Sequence, residues 1–185
     1  MSSPTQIIQI WDPFVRVFHW TVAILFLLNY WVLEEGDPPH KWAGYIILGL
    51  LSLRIIWGFI GPERARFTNF FPTPARVKHH IHQLRCQQVD PCEGHNPLGG
   101  AMVIALMLML LFTGASGWLQ TFREYRGEEW LEDLHEFAAN FTLMLVIIHI
   151  SAVFIMTKLT AIPLLKTMIT GKRNVPTETT LVRKH

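Results

Sequence analysis

The chain has 185 residues, half of them hydrophobic and only 16% charged, with twelve Phe and seven Trp. A soluble domain of this length rarely holds four apolar stretches of about twenty residues each, so the composition excludes an ordinary soluble fold and predicts one membrane-embedded domain. The net charge of +2 is small, and no nucleic-acid partner is expected.

Asp12-Pro13 opens the first apolar segment, 14–33, with a capping side chain ahead of a proline at the first helical position, where the missing N–H costs nothing. It has neither a basic amino-terminal region nor a small-residue cleavage site, so it is expected to be retained rather than removed as a signal. The second segment is 41–60. In the connection that follows, Pro72 and Pro74 precede ARVKHHIHQLR, where Val77, Ile81 and Leu84 recur at helical spacing between basic residues. This predicts a short helix on the membrane surface. Asn96-Pro97 signals the third segment, 98–119, and the fourth is 135–157. Backbone polar groups in hydrocarbon must be satisfied within the protein, so all four segments are expected to be helices. IPLLKTMITGKR is expected to form a second surface helix. From Asn174 onward the chain is polar and is expected to be disordered. The predicted architecture is all-α: a transmembrane four-helix bundle over residues 1–173 with a polar tail, 174–185.

Charge orients the bundle. Arg16, the basic residues of the middle connection and those of the carboxyl-terminal segment place twelve of the sixteen Lys and Arg on one side. The connections 34–40 and 120–134 hold Arg123 and Arg126 against eight carboxylates. Positive residues stay inside, so both termini are expected in the cytoplasm of a bacterial inner membrane, with the acidic connections outside. Those carboxylates would steer a basic partner.

Four histidines stand inside or at the lip of these segments: His19, His40, His135 and His149. His135 and His149 are fourteen residues apart, which places both on one face of a helix about 21 Å apart along its axis. The hydrocarbon core is about 30 Å thick. Depth along the alternating helices pairs His19 with His149 and His40 with His135. Ionisable residues in a membrane are costly and mark function, and imidazole is a common axial ligand of haem iron. Two haem b groups, each held by a histidine pair, are expected, bound non-covalently because C-x-x-C-H is absent. A haem-free transporter for a metal ion is the rival, but it should also place carboxylates deep in the helices, and none lies there. Arg54, fourteen residues after His40, shares nearly the same face, where it either pairs with a propionate of the inner haem or extends to the interface. Gly44, Gly49, Gly58, Gly114 and Gly117 admit either a flat macrocycle or close helix packing. Cys86 and Cys92, near His79, His80, His82 and His95, match no common structural zinc spacing and are expected to be free thiols.

WDPFVRVFHW at 11–20, HKWAGYIILGLLSLRIIWGFIGPERARF at 40–67 and GHNPLGG at 94–100 resemble the bacterial cytochrome b561 family, which also includes the b-type cytochrome subunits of nickel-dependent hydrogenases. The likeness covers about residues 8–172. It implies a four-helix bundle with two b haems, and its ligand histidines map onto His19, His40, His135 and His149. It also implies electron transfer between a quinone pool and a redox partner. Membrane lipid and a quinone or quinol are therefore expected partners, and a periplasmic c-type cytochrome or a hydrogenase is the candidate for the other. A quinone oxidoreductase activity and a homodimer stay open. The rival within this reading is a haem-bearing anchor subunit of a hydrogenase or another periplasmic dehydrogenase.

Overall fold

The computed structural model describes residues 5–85 and 97–176. In chain order these form β1 (Thr5–Gln9), α1 (Pro13–Trp31), α2 (Pro38–Ile60), a 3-10 turn (Glu63–Ala65), α3 (Phe67–Phe70), α4 (Pro74–Arg85), α5 (Pro97–Leu119), α6 (Glu129–Thr160), α7 (Leu164–Thr170) and β2 (Lys172–Pro176). Among the described residues, α1, α2, α5 and α6 are long and apolar enough to cross a membrane. Most of their large apolar side chains face outward, as a lipid solvent allows.

The start of α1 follows from its sequence: the Asp12 carboxylate accepts from the Val15 amide at 3.0 Å, and Pro13 takes the first helical position. The fourth span departs from expectation. It begins at Glu129 rather than 135, because Glu129 and Glu132 favour the positive end of the helix dipole and carry the helix beyond its apolar stretch. The amphipathic segment after Pro74 is a helix, α4, and it packs against α5.

The fold is mostly helical, as expected, with one small two-stranded sheet that was not. β1 pairs antiparallel with β2, Thr5 opposite Pro176 and Gln9 opposite Lys172. Asn174, Val175 and Pro176, expected to begin a disordered tail, are thus part of a strand; residues 177–185 lie outside the described residues. Alternation explains the strand: Arg173 and Val175 turn inward while Lys172 and Asn174 face out. Basic composition hid this period of two.

Packing proceeds from α1 to α2, from α2 to α5 and from α5 to α6. The middle of the bundle is an apolar layer of Val22, Phe26, Ile47 and Leu51, closed by Met107 and Leu110 of α5 and by Leu143 and Val146 of α6. A second cluster, Ile10, Trp11, Val15 and Ala65 with Trp57 and Met168 against it, seals the end of the bundle that carries the termini. Arginines fasten that end to helix carboxyl termini. Arg16 donates to the Ile169 carbonyl, and Arg66 Nε donates to the Gly61 carbonyl at 2.7 Å. Cations there satisfy carbonyls that have no helical partner.

Gly171 joins the two termini. It ends α7 at φ 77°, and its carbonyl accepts from the Ile10 and Trp11 amides at 2.8 and 3.2 Å. Gly171→Ala puts a Cβ 2.9 Å from the Trp11 carbonyl oxygen in a left-handed conformation that disfavours it by about 1–2 kcal/mol. We expect a lower melting temperature by circular dichroism and faster trypsin cleavage after Lys172 and Arg173. An unchanged cleavage rate would show that this turn does not hold the terminal sheet.

Candidate functional site

The four membrane histidines come together in two pairs, one at each end of the bundle. His19 of α1 faces His149 of α6 at the end carrying the termini, with ring centroids 6.3 Å apart and planes at 57°. His40 of α2 faces His135 of α6 at the short-loop end, with centroids 6.1 Å apart and planes at 72°. α6 thus contributes one ring to each pair, about 21 Å apart along its axis. The Val22, Phe26, Ile47 and Leu51 layer lies between them in sequence and in space.

The short-loop end holds a cavity of about 380 Å³. His40 and His135 both line it, and Phe26, Ile47 and Leu110 of the apolar layer are also among its walls. Lys41, Trp118 and Arg126 line the cavity too. Trp42 and Trp130 are instead more than half exposed on the bundle surface.

His135 is the best defined of the four. It is buried, and its Nδ1 lies 3.0 Å from the Thr113 carbonyl oxygen and 3.1 Å from Ser116 Oγ. A carbonyl only accepts, so Nδ1 is the protonated nitrogen and Nε2 keeps its lone pair. That is the arrangement by which an outer hydrogen bond orients a metal-ligating imidazole. Thr113 and Ser116 were not singled out from the sequence, where small hydroxyl residues in an apolar run carry no distinctive signal. Ser116 follows Thr113 by three residues, which does put both on one helix face. His19 and His40 each have a buried Nδ1 with no hydrogen-bond partner among the described residues.

The glycines divide by what stands next to them. A Cβ on Gly117 would meet His135 Cε1 at 2.8 Å, so this glycine makes room for the imidazole. A Cβ on Gly114 would meet Leu48, and one on Gly58 would meet Phe67, so those two serve close packing. Gly44 and Gly49 face open space, and Gly44 lines the cavity.

Arg54 is buried and reaches the connection that follows α2. It is 2% exposed; its Nη2 donates to the Ala65 carbonyl at 3.1 Å, and its guanidinium lies 5.0 Å from the centre of the Phe67 ring. Nη1 is buried without a partner among the described residues. His79, His80 and His82 lie on α4, while Cys86, Cys92 and His95 fall outside the described residues. Among the described residues no three His, Cys, Asp or Glu side chains converge as a metal-ion site.

The donor set suits a b-type haem. A metal–imidazole bond is about 2.0 Å and a ring nitrogen lies ~1.1 Å from its ring centre, so two imidazoles in line on one metal have centroids about 6 Å apart. Both pairs meet that spacing. No curated protein and no solved structure matches the chain. The family model described as prokaryotic cytochrome b561 matches residues 10–171, which include all four histidines. The chain belongs to the prokaryotic cytochrome b561 family, whose members are b-type haem cytochromes of membrane electron transfer.

Proposed function

We propose that this chain is a di-haem cytochrome of the bacterial inner membrane, passing electrons between the quinone pool and a redox partner of a respiratory chain. The observation that carries the reading is the pair of facing imidazole couples, 6.3 and 6.1 Å between centroids, one at each end of the same helix. His19 and His149 would hold one haem, His40 and His135 the other. When bound, each haem supplies a one-electron couple between ferric and ferrous iron. The chain's own part is to hold and tune it. Thr113 and Ser116 fix the His135 ring, and Lys41 and Arg126 offer cations to propionates at the cavity rim. The apolar layer keeps water out of the space between the sites. Twelve of the sixteen Lys and Arg on one side support cytoplasmic termini, with the His40–His135 pair toward the periplasm. There the acidic connections favour a basic c-type cytochrome as the soluble partner.

The first test is stoichiometry. Pyridine haemochrome analysis of purified protein should give close to two b haems per chain, and a folded chain that saturates at one rejects the di-haem reading. His149→Ala should remove chiefly the haem of the termini end, and His135→Ala chiefly that of the short-loop end. Gly117→Val, which drives a side chain into the His135 imidazole, should copy the second phenotype. If both histidine variants lose the same component of the reduced spectrum, the pairing is wrong.

Arg54 is proposed to place its unpartnered Nη1 toward a propionate of the inner haem, that of His19 and His149. A nearby cation favours the reduced, less positive centre, so Arg54→Leu should lower that haem's midpoint potential and Arg54→Lys should largely restore it. A lower melting temperature with both potentials unchanged would confine Arg54 to holding the Ala65 and Phe67 connection.

A further inference from the structure

The connection between α2 and α5 supplies no histidine to the two pairs, and it is basic. From Arg64 to Arg85 it holds Arg64, Arg66, Arg76, Lys78 and Arg85 and no Asp or Glu. Three of these cations hold backbone carbonyls. Arg64 donates to Gln9, Arg66 to Gly61, and Arg76 Nη1 to Thr68, Asn69 and Phe71 at 3.3, 3.3 and 3.4 Å. Lys78 is exposed and opens on a groove.

The groove, of about 670 Å³, lies between α4 and the start of α5. Pro72, Val77 and Ile81 and, from α5, Ala101 give it apolar walls, and Lys78 and His82 are its two basic residues. Those two are four residues apart on α4, so they stand on one helix face, about 6 Å apart along its axis. His80, 1% exposed, turns the other way. The groove depends on a close approach at Gly100. A Cβ there would overlap the Phe70 carbonyl and meet the Phe70 ring at 3.1 Å, so glycine lets the end of α3 lie on α5 just before the Pro72 and Pro74 turn into α4.

We propose that this groove holds one anionic phospholipid of the leaflet at the termini end, its phosphate against Lys78 and His82 and the start of an acyl chain along Val77, Ile81 and Ala101. The occupant follows from the two kinds of wall. Basic side chains beside an apolar floor match a molecule whose anion and hydrocarbon are joined within a few ångströms. Free phosphate makes no use of the floor. From Ala101 onward α5 is a membrane span, and Leu108, Leu111 and Phe112 are exposed on it, so an acyl chain leaving the groove continues in hydrocarbon. The charge selects among lipids. A choline or ethanolamine headgroup adds a cation, and α4 has no carboxylate to receive it, whereas an anionic headgroup adds none. Each basic residue near an anionic membrane surface favours binding roughly fivefold. With twelve of the sixteen Lys and Arg at this end, the groove faces the leaflet in which anionic lipids set the surface potential. The site is separate from the histidine pairs and stands whatever number of haems they hold.

The test uses the full haem-loaded chain in a non-ionic detergent, stripped of lipid and titrated with phosphatidylglycerol, phosphatidylethanolamine or phosphatidylcholine, with bound lipid counted by native mass spectrometry. One phosphatidylglycerol should be retained at concentrations where the two zwitterionic lipids are not. A phosphatidylglycerol with a diazirine on its acyl chain should label peptides from α4 and from the first turns of α5. Lys78→Gln should weaken retention roughly fivefold and Lys78→Glu should abolish it, while Lys78→Arg keeps it. Lys166→Gln, which removes an exposed cation of α7 at the same end, should leave retention unchanged. The reduced haem spectrum should match the parent in every variant. Equal retention of the three lipids by the parent overturns the proposal, as does a loss for Lys166→Gln as large as that for Lys78→Gln, which marks diffuse charge. Displacement of the lipid by an equal concentration of inorganic phosphate makes the groove a site for the free anion, and crosslinking between two chains that Lys78→Glu abolishes with lipid retention intact makes it a contact between copies. Either result also overturns it.

Discussion

An imidazole buried in hydrocarbon has two ring nitrogens to satisfy, and the bundle is arranged around that requirement. At His135 one nitrogen is committed to the Thr113 carbonyl, which leaves the other with its lone pair. For Thr113 to lend that carbonyl, α5 has to lie close against α6, and it does so because Gly117 has no side chain where the imidazole stands. The hydroxyls repeat the theme about two turns further along α6, where Thr113 and the fully buried Thr142 meet at 3.2 Å. A polar seam thus fixes the rotation of α6, and with it the position of His149 four turns on.

Because α6 serves both pairs, its straightness and length set the distance between the two sites. The layer of Val22, Phe26, Ile47 and Leu51 occupies the space between them and draws on all four spanning helices through its flanking residues. Roughly 1.5–3 kcal/mol for each such buried side chain is typical in water, but between helices in lipid the gain comes chiefly from packing. That distinction explains why glycines recur at the contacts. Gly58 and Gly114 permit approaches that a single methyl would prevent.

The two ends of the bundle are built differently. The end with the termini is sealed by a small sheet, by the Ile10, Trp11, Val15 and Ala65 cluster and by arginines donating to helix carbonyls. The short-loop end keeps a cavity of about 380 Å³ with both polar and apolar walls.

Much of this was readable from the residues in order. Four apolar segments bounded by Asp12-Pro13 and Asn96-Pro97 imply four helices, because hydrocarbon leaves the backbone no alternative, and alternating direction then assigns each histidine a depth. Depth depends only on counting residues along helices, so the couples His19–His149 and His40–His135 could be named in advance. What counting cannot supply is rotation and lateral approach. The partner of His135 Nδ1, the burial of Arg54 beneath Ala65 and Phe67, and the bridge from Tyr30 to Asn140 each join residues far apart in sequence through contacts that hydropathy does not encode. The terminal strands escaped for a related reason: five residues of mixed polarity become a strand only when a second strand, more than 160 residues away in sequence, supplies their hydrogen bonds. The membrane solvent determined the helices and the depths of their histidines, while side-chain packing between them decided which nitrogen is free, which cation is buried and where the bundle stays open.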